Sequence, residues 1–139
     1  MPPADKMFEL HLRNDLSELR RLDDWVRDVA DQLSLSDALV HSVHLCLTEA
    51  VTNVIVHGGD RSSHGILLSL RARKAAITAC VSDIGRPFDP LDYVPAPKPK
   101  SLFEATFGGQ GIRLMRQFAT SLSYKRQANR NSLTLTFRR

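Results

Sequence analysis

Between Ser34 and Gly59 the apolar residues Val40, Val43, Leu47, Val51 and Val54 recur at steps of three and four, and the pattern stops at Gly58 and Gly59. This is the period of one helical stripe, ended by residues that adopt helix-terminating backbone cheaply. Either Ser34 or Ser36 can cap its start. An apolar stripe of this length has to be laid on a sheet or on other helices, so the remaining sequence must supply that cover.

The flanking segments supply both. Phe8, Leu10 and Leu12 alternate with Glu9, His11 and Arg13, which predicts a half-buried strand. Leu16, Leu19, Leu22, Trp25, Val26, Val29 and Leu33 return at helical spacing, with Asp15 or Asn14 as the cap. Residues 64–70 and 75–81 read as a hairpin turning through Arg71 to Lys74. Residues 85–111 hold all but two of the seven prolines, a length and composition that suggest a functional lid more than a plain connection. Ile112, Leu114, Met115 and Phe118 then predict a short helix, and residues 121–126 with Leu133, Leu135 and Phe137 predict two closing strands. There is no internal repeat. The order predicts an α+β fold, a two-layer sandwich with helices on one face of a mainly antiparallel sheet, in a single domain spanning 1–139.

With 139 residues, 42% hydrophobic and 24% charged, the chain suits one core. The longest apolar runs fall short of the roughly 20 residues of a membrane span, and MPPADKMFEL lacks a signal-peptide core, so a cytoplasmic protein with no membrane contact is expected. Cys46 and Cys80 sit in apolar stretches without metal-site spacing and read as buried thiols. The net charge of +4 and pI near 9.4 would suit an anionic partner. The aromatic residues, however, are dispersed and form no stacking platform among the basic ones, so no direct nucleic-acid partner is expected.

Three constellations carry possible chemistry. Glu49, Asn53 and His57 are spaced by four on the second helix and form a polar ridge turned away from the apolar stripe. Such a ridge is either a solvated face or a site in which a carboxylate accepts a hydroxyl proton and an amide oxygen serves Mg²⁺. His57, just before Gly58, suits the negative end of the helix dipole. Asp83-Ile84-Gly85-Arg86-Pro87-Phe88-Asp89 follows a strand; it can be a simple turn, or Asp83 can accept from an exocyclic amine while Gly85 lets a base approach. Phe107-Gly108-Gly109-Gln110-Gly111 opens a helix, where main-chain N–H groups favour anions, although no Walker-type lysine follows.

Taken in order, Glu49-Ala50-Val51-Thr52-Asn53 with Val56-His57-Gly58, then Asp83-Ile84-Gly85, then Gly109-Gln110-Gly111 resemble the N, G1 and G2 boxes of the GHKL ATPase superfamily. The run Leu47-Thr48-Glu49-Ala50-Val51-Thr52-Asn53 is similar to that of the anti-sigma-factor serine/threonine protein kinases of bacterial partner-switching systems, and the likeness extends over nearly the whole chain. The resemblance implies the Bergerat-type ATP-binding fold, with ATP and Mg²⁺ bound. Asn53 would coordinate the Mg²⁺, and Glu49 would activate a protein hydroxyl. Asp83 would read adenine in a pocket shaped by Gly85, and Gly109 and Gly111 would let the lid backbone wrap the phosphates. Ser132 or Thr134, near the start of the last strand, would support the base. The implied partners are an anti-sigma-factor antagonist of the STAS-domain type, which the kinase phosphorylates, and a sigma factor or other regulatory target, met near Arg20 and Arg21. A homodimer is compatible with this reading. Gln110 between the glycines, and a lid whose cations are Lys98 and Lys100, depart from the family pattern and leave open a second reading: a nucleotide-gated module that sequesters its partner without phosphorylating it. An autophosphorylating histidine kinase is not expected, since no phosphoacceptor helix pair fits in the chain.

Overall fold

The computed structural model describes residues 5–57, 65–92 and 110–139. Five strands form one sheet: β1 (Lys6–Arg13), β2 (Gly65–Ala72), β3 (Ala76–Asp83), β4 (Ser121–Gln127) and β5 (Arg130–Arg138), in the order β1-β2-β3-β5-β4. All four pairings are antiparallel. Side chains alternate between faces along a strand, and directly paired residues share a face. The registers therefore place Leu68, Val81, Leu133 and Tyr124 in one row across the sheet. Ile66, Leu68, Leu70, Ile77, Ala79, Val81, Leu133, Leu135 and Phe137 make that face an almost dry floor.

The hairpins differ slightly from the sequence expectation. Strand β2 runs on through Arg71 and Ala72, and the Arg73 N–H donates to the Ala76 carbonyl at 2.9 Å to close a tight turn. Ala128 and Asn129 join β4 to β5 with φ of 52° and 63°. Two successive left-handed residues match the twist of paired strands, a conformation that suits Asn and costs Ala.

Asp15 opens the first helical segment by accepting from the Ser17 N–H at 3.0 Å, but Leu16–Glu18 is a 3-10 turn, and the α-helix α1 runs from Leu19 to Leu33. Within that turn Glu18 is only 3% exposed and accepts from the main-chain N–H of Arg13 at 2.8 Å and from Arg21 at 3.1 Å. The Arg13 main-chain bond, joined by the two guanidinium groups, holds its carboxyl below the ordinary glutamate range. Ser34, at φ 53°, ends α1, so Ser36 is the residue that caps α2 (Asp37–His57), accepting from the Leu39 N–H at 3.2 Å. The third helix, α3, spans Gln110–Phe118 and buries Met115.

α2 touches α1, α3, β3 and β5. With cover on several sides it buries Val43, Cys46, Leu47, Ala50, Val51, Thr52, Asn53 and Ile55, a set that runs round the helix and not along one stripe. An 18-residue window of α2 has a mean hydropathy of 1.4, enough by length and composition for a membrane span, and 44% of that window is buried inside the fold. The Cys46 thiol is pushed up to about 12, chiefly by burial and then by Glu49 nearby. Cys80 departs from the expected burial: it is half-buried, opposite Thr134 on the sheet face away from the helices.

Candidate functional site

Asn53 is 7% exposed, so the solvated-face alternative for the α2 ridge fails at this residue. The amide enters a pocket between α2 and the sheet, lined by Ala50, Asn53, Val54, Val81, Asp83, Phe88, Pro90, Tyr124, Asn131 and Leu133. The walls are mainly apolar and the polar groups few, as in a site for a flat organic ligand.

Asp83, the last residue of β3, is 3% exposed. Its Oδ2 accepts from the Gly85 N–H at 2.9 Å and from Asn131 Nδ2 at 3.4 Å. Gly85 is itself buried, and its carbonyl accepts from Arg126 Nη1 at 2.6 Å. Asn131 Nδ2 also donates to the Arg86 carbonyl at 2.9 Å, while the Tyr124 hydroxyl donates to Asn131 Oδ1 at 2.5 Å. The turn after β3 is thus tied to the β4–β5 hairpin by side-chain bonds. Arg86 Nε closes the other side by donating to the His57 carbonyl at 2.9 Å, at the end of α2. The His57 ring lies nearly parallel to Phe88, with centroids 4.7 Å apart. His57 therefore borders the pocket wall in addition to standing at the helix terminus.

Glu49 lies one turn before Asn53 and faces α3. A Cβ on Gly111 would sit 2.6 Å from Glu49 Oε2 and 3.3 Å from Glu49 Cβ, so glycine lets the first turn of α3 approach this carboxyl. Burial pushes the Glu49 carboxyl up from the ordinary glutamate range. Among the described residues no group of three or more His, Cys, Asp or Glu can hold a metal ion. A cation here would have to rest on the Asn53 amide and take its remaining ligands from a phosphate chain and water, a donor set that fits Mg²⁺.

Glu49, Asn53, Asp83, Gly85 and Gly111 thus gather around one end of α2 and β3, whereas Ser132 and Thr134 do not. Ser132 pairs with Ser82 and Thr134 with Cys80, on the sheet face opposite the pocket. The residue on the pocket face is Asn131, paired with Asp83. Sequence reading missed it because an error of one position in a strand exchanges the faces; the apolar alternation Leu133, Leu135, Phe137 held the signal, since stepping back by two from Leu133 reaches Asn131. Gly109, Lys98 and Lys100 lie outside the described residues. Arg20 is exposed, and Arg21 donates to the His11 carbonyl and to Glu18.

The model of the histidine kinase-like ATPase domain matches residues 12–137. The serine/threonine-protein kinase BtrW of Bordetella bronchiseptica is 34% identical over 116 residues, a stretch covering 81% of this chain and 80% of that protein. A crystal structure of the RsbU and RsbW domains of a Mycobacterium tuberculosis protein superposes with a TM-score of 0.69 at 15% identity, which bears on the fold alone. That superposition covers 96% of this chain and 32% of the larger one, so this chain spans about a third of that solved protein's length.

Proposed function

The chain belongs to the histidine kinase-like ATPase domain family, and on that footing we propose that it is an ATP-dependent serine/threonine protein kinase of the anti-sigma type, acting in a bacterial partner-switching system. The observation that carries this reading is the convergence on one pocket of buried Asp83 and buried Asn53, with Glu49 one helical turn away. The adenine base lies between Ala50, Val81, Phe88 and Leu133, its amino group donating to Asp83. Asn53 takes the Mg²⁺ that accompanies the phosphates; when bound, that ion neutralises phosphate charge. Glu49 accepts the proton of a serine or threonine hydroxyl as the oxygen bonds to the γ-phosphorus and ADP departs. Its carboxyl, raised by burial, is the stronger base for this work. Gly111 keeps α3 close to Glu49, so that the first turn of α3 can approach the phosphates.

The substrate in this reading is an anti-sigma-factor antagonist of the STAS-domain type, and the sequestered target is a sigma factor or a comparable regulator. What supports it is the likeness to BtrW together with the resemblance of the run from Leu47 to Asn53 to that of the anti-sigma-factor kinases.

A calorimetric titration with Mg·ATP and Mg·ADP tests the pocket. Asn53→Ala and Asp83→Ala are expected to lose binding by about a hundredfold or more, the value of one or two charge-assisted contacts. Glu49→Gln is expected to keep nucleotide affinity and to lower phosphate transfer to a purified antagonist by about 10²- to 10⁴-fold. The wild-type rate should fall on the acid side at a pH above the ordinary glutamate range, because a carboxyl with a raised pKa is protonated, and lost as a base, earlier as pH drops. Unimpaired transfer by Glu49→Gln would overturn the assignment of the base, and a wild-type protein that binds nucleotide while the antagonist stays unphosphorylated would point to sequestration alone.

A further inference from the structure

The Asn131 amide has two ends that are hard to distinguish by shape, and its neighbours decide which end goes where. The Arg86 carbonyl, 2.9 Å away, can only accept, so Nδ2 faces it and also reaches Asp83 Oδ2 at 3.4 Å. Oδ1 is then left to Tyr124, whose hydroxyl must donate, at 2.5 Å. That hydroxyl oxygen also has a main-chain hydrogen bond from Phe88. With the amide reversed, its oxygen would meet the Arg86 carbonyl and the Asp83 carboxylate together, three acceptors with no proton among them. The Arg86 carbonyl and Asp83 thus set the amide's direction, the Tyr124 hydroxyl holds it there by donating to Oδ1, the amide holds one oxygen of Asp83, and the Gly85 N–H holds that same oxygen at 2.9 Å. Both Asp83 and Asn131 are buried, at 3% and 6% exposure, so neither has bulk water as an alternative partner.

We propose that Tyr124 and Asn131 are positioning residues that set the base preference of this pocket: by engaging Oδ2 of Asp83 and fixing the carboxyl's rotation, they present Oδ1 as a bare acceptor that takes a 6-amino purine and repels a 6-keto one. The inference rests on the nucleotide reading above. Neither residue touches the reacting phosphates, so their effect falls on which base is accepted. The carboxylate alone does not guarantee that preference, because a free side chain can rotate to offer either oxygen or withdraw.

The test compares the affinities of ATP and inosine triphosphate, each with Mg²⁺, for wild type, Tyr124→Phe, Asn131→Asp and Asp83→Asn, with a thermal melt of each variant as the folding control. Wild type is expected to prefer ATP by about a hundredfold, a typical discrimination for a buried hydrogen-bonded edge. Tyr124→Phe removes the donor at nearly constant volume and should cut the ratio about tenfold, through weaker ATP binding. Asn131→Asp keeps the shape, replaces the donor by an acceptor beside Asp83, and should abolish the preference. An inosine triphosphate affinity that changes less than the ATP affinity in Tyr124→Phe separates base selection from general damage to the site. An unchanged ratio in a folded Tyr124→Phe, with the preference lost only in Asp83→Asn, overturns the positioning role while leaving the nucleotide reading intact. A wild-type protein that binds neither nucleotide overturns both. If Asn131→Asp does not fold, Tyr124→Phe alone decides.

Discussion

In α1 the buried residues Leu22, Val26, Val29, Ala30 and Leu33 lie on one stripe, while Arg20, Arg27, Asp28 and Asp31 face water. In α2 the buried set runs round the helix and takes Thr52 and Asn53 with it. The two helices pack against each other, but α1 covers the edge strand β1, whereas α2 lies over the inner strands β3 and β5 and also meets α3. A helix covered on one side sorts its residues by polarity without further cost. One covered on several sides has to bury polar groups, at about 1–3 kcal/mol for each left unpartnered. α2 retains its polar residues where a ligand would meet them, and the comparison teaches that the polar minority in a largely buried helix marks a site better than its apolar majority marks a face.

The sharpest way to break this contrast is to damage α1. Leu22 has no solvent exposure, so Leu22→Ala should cost about 2–5 kcal/mol in urea unfolding while leaving nucleotide affinity of the folded protein within about twofold. A comparable loss of affinity would mean that the two helices do not divide stability and function between them. Next in size is Gly111→Ala, which acts where α3 meets α2. Displacing Glu49 by the added methyl is expected to lower transfer about tenfold and more than it lowers nucleotide affinity, since small misplacements of a reacting group are costly. Equal losses in rate and affinity would place the effect in the phosphate contacts. The smallest effect belongs to Ser132→Ala combined with Thr134→Ala: on the far sheet face, the pair should change nucleotide affinity by no more than about twofold in calorimetry. A tenfold loss would put a pocket residue where the register puts none.

Legibility in the sequence followed the range of the interactions. The alternation at Phe8 to Leu12, the α1 stripe and the hairpins rest on contacts between near neighbours, and the order of elements sufficed for an antiparallel sheet with helices on one side. Glu49, Asn53 and Asp83 were reachable because each sits in a short motif at an element's middle or end. Asn131 was not, since its meaning comes from Asp83 and Arg86, 48 and 45 residues away in the chain, which only a register can supply, and Tyr124 acts through Asn131. Periodicity alone left the α2 ridge open between a solvated face and a site for a related reason: it tells which residues share a side of a helix but not how many sides the fold will cover.

Strand β5 is made after β4 yet lies between β3 and β4. Without β5, the strands up to Gln127 would leave a slot beside β3, and the edge carrying Ile77, Ala79 and Val81 would have no partner. One strand, from Asn131 to Phe137, therefore completes both the sheet and the wall of the base pocket. A chain in which β5 has come away exposes an unpaired strand edge through which it can pair with another copy of itself.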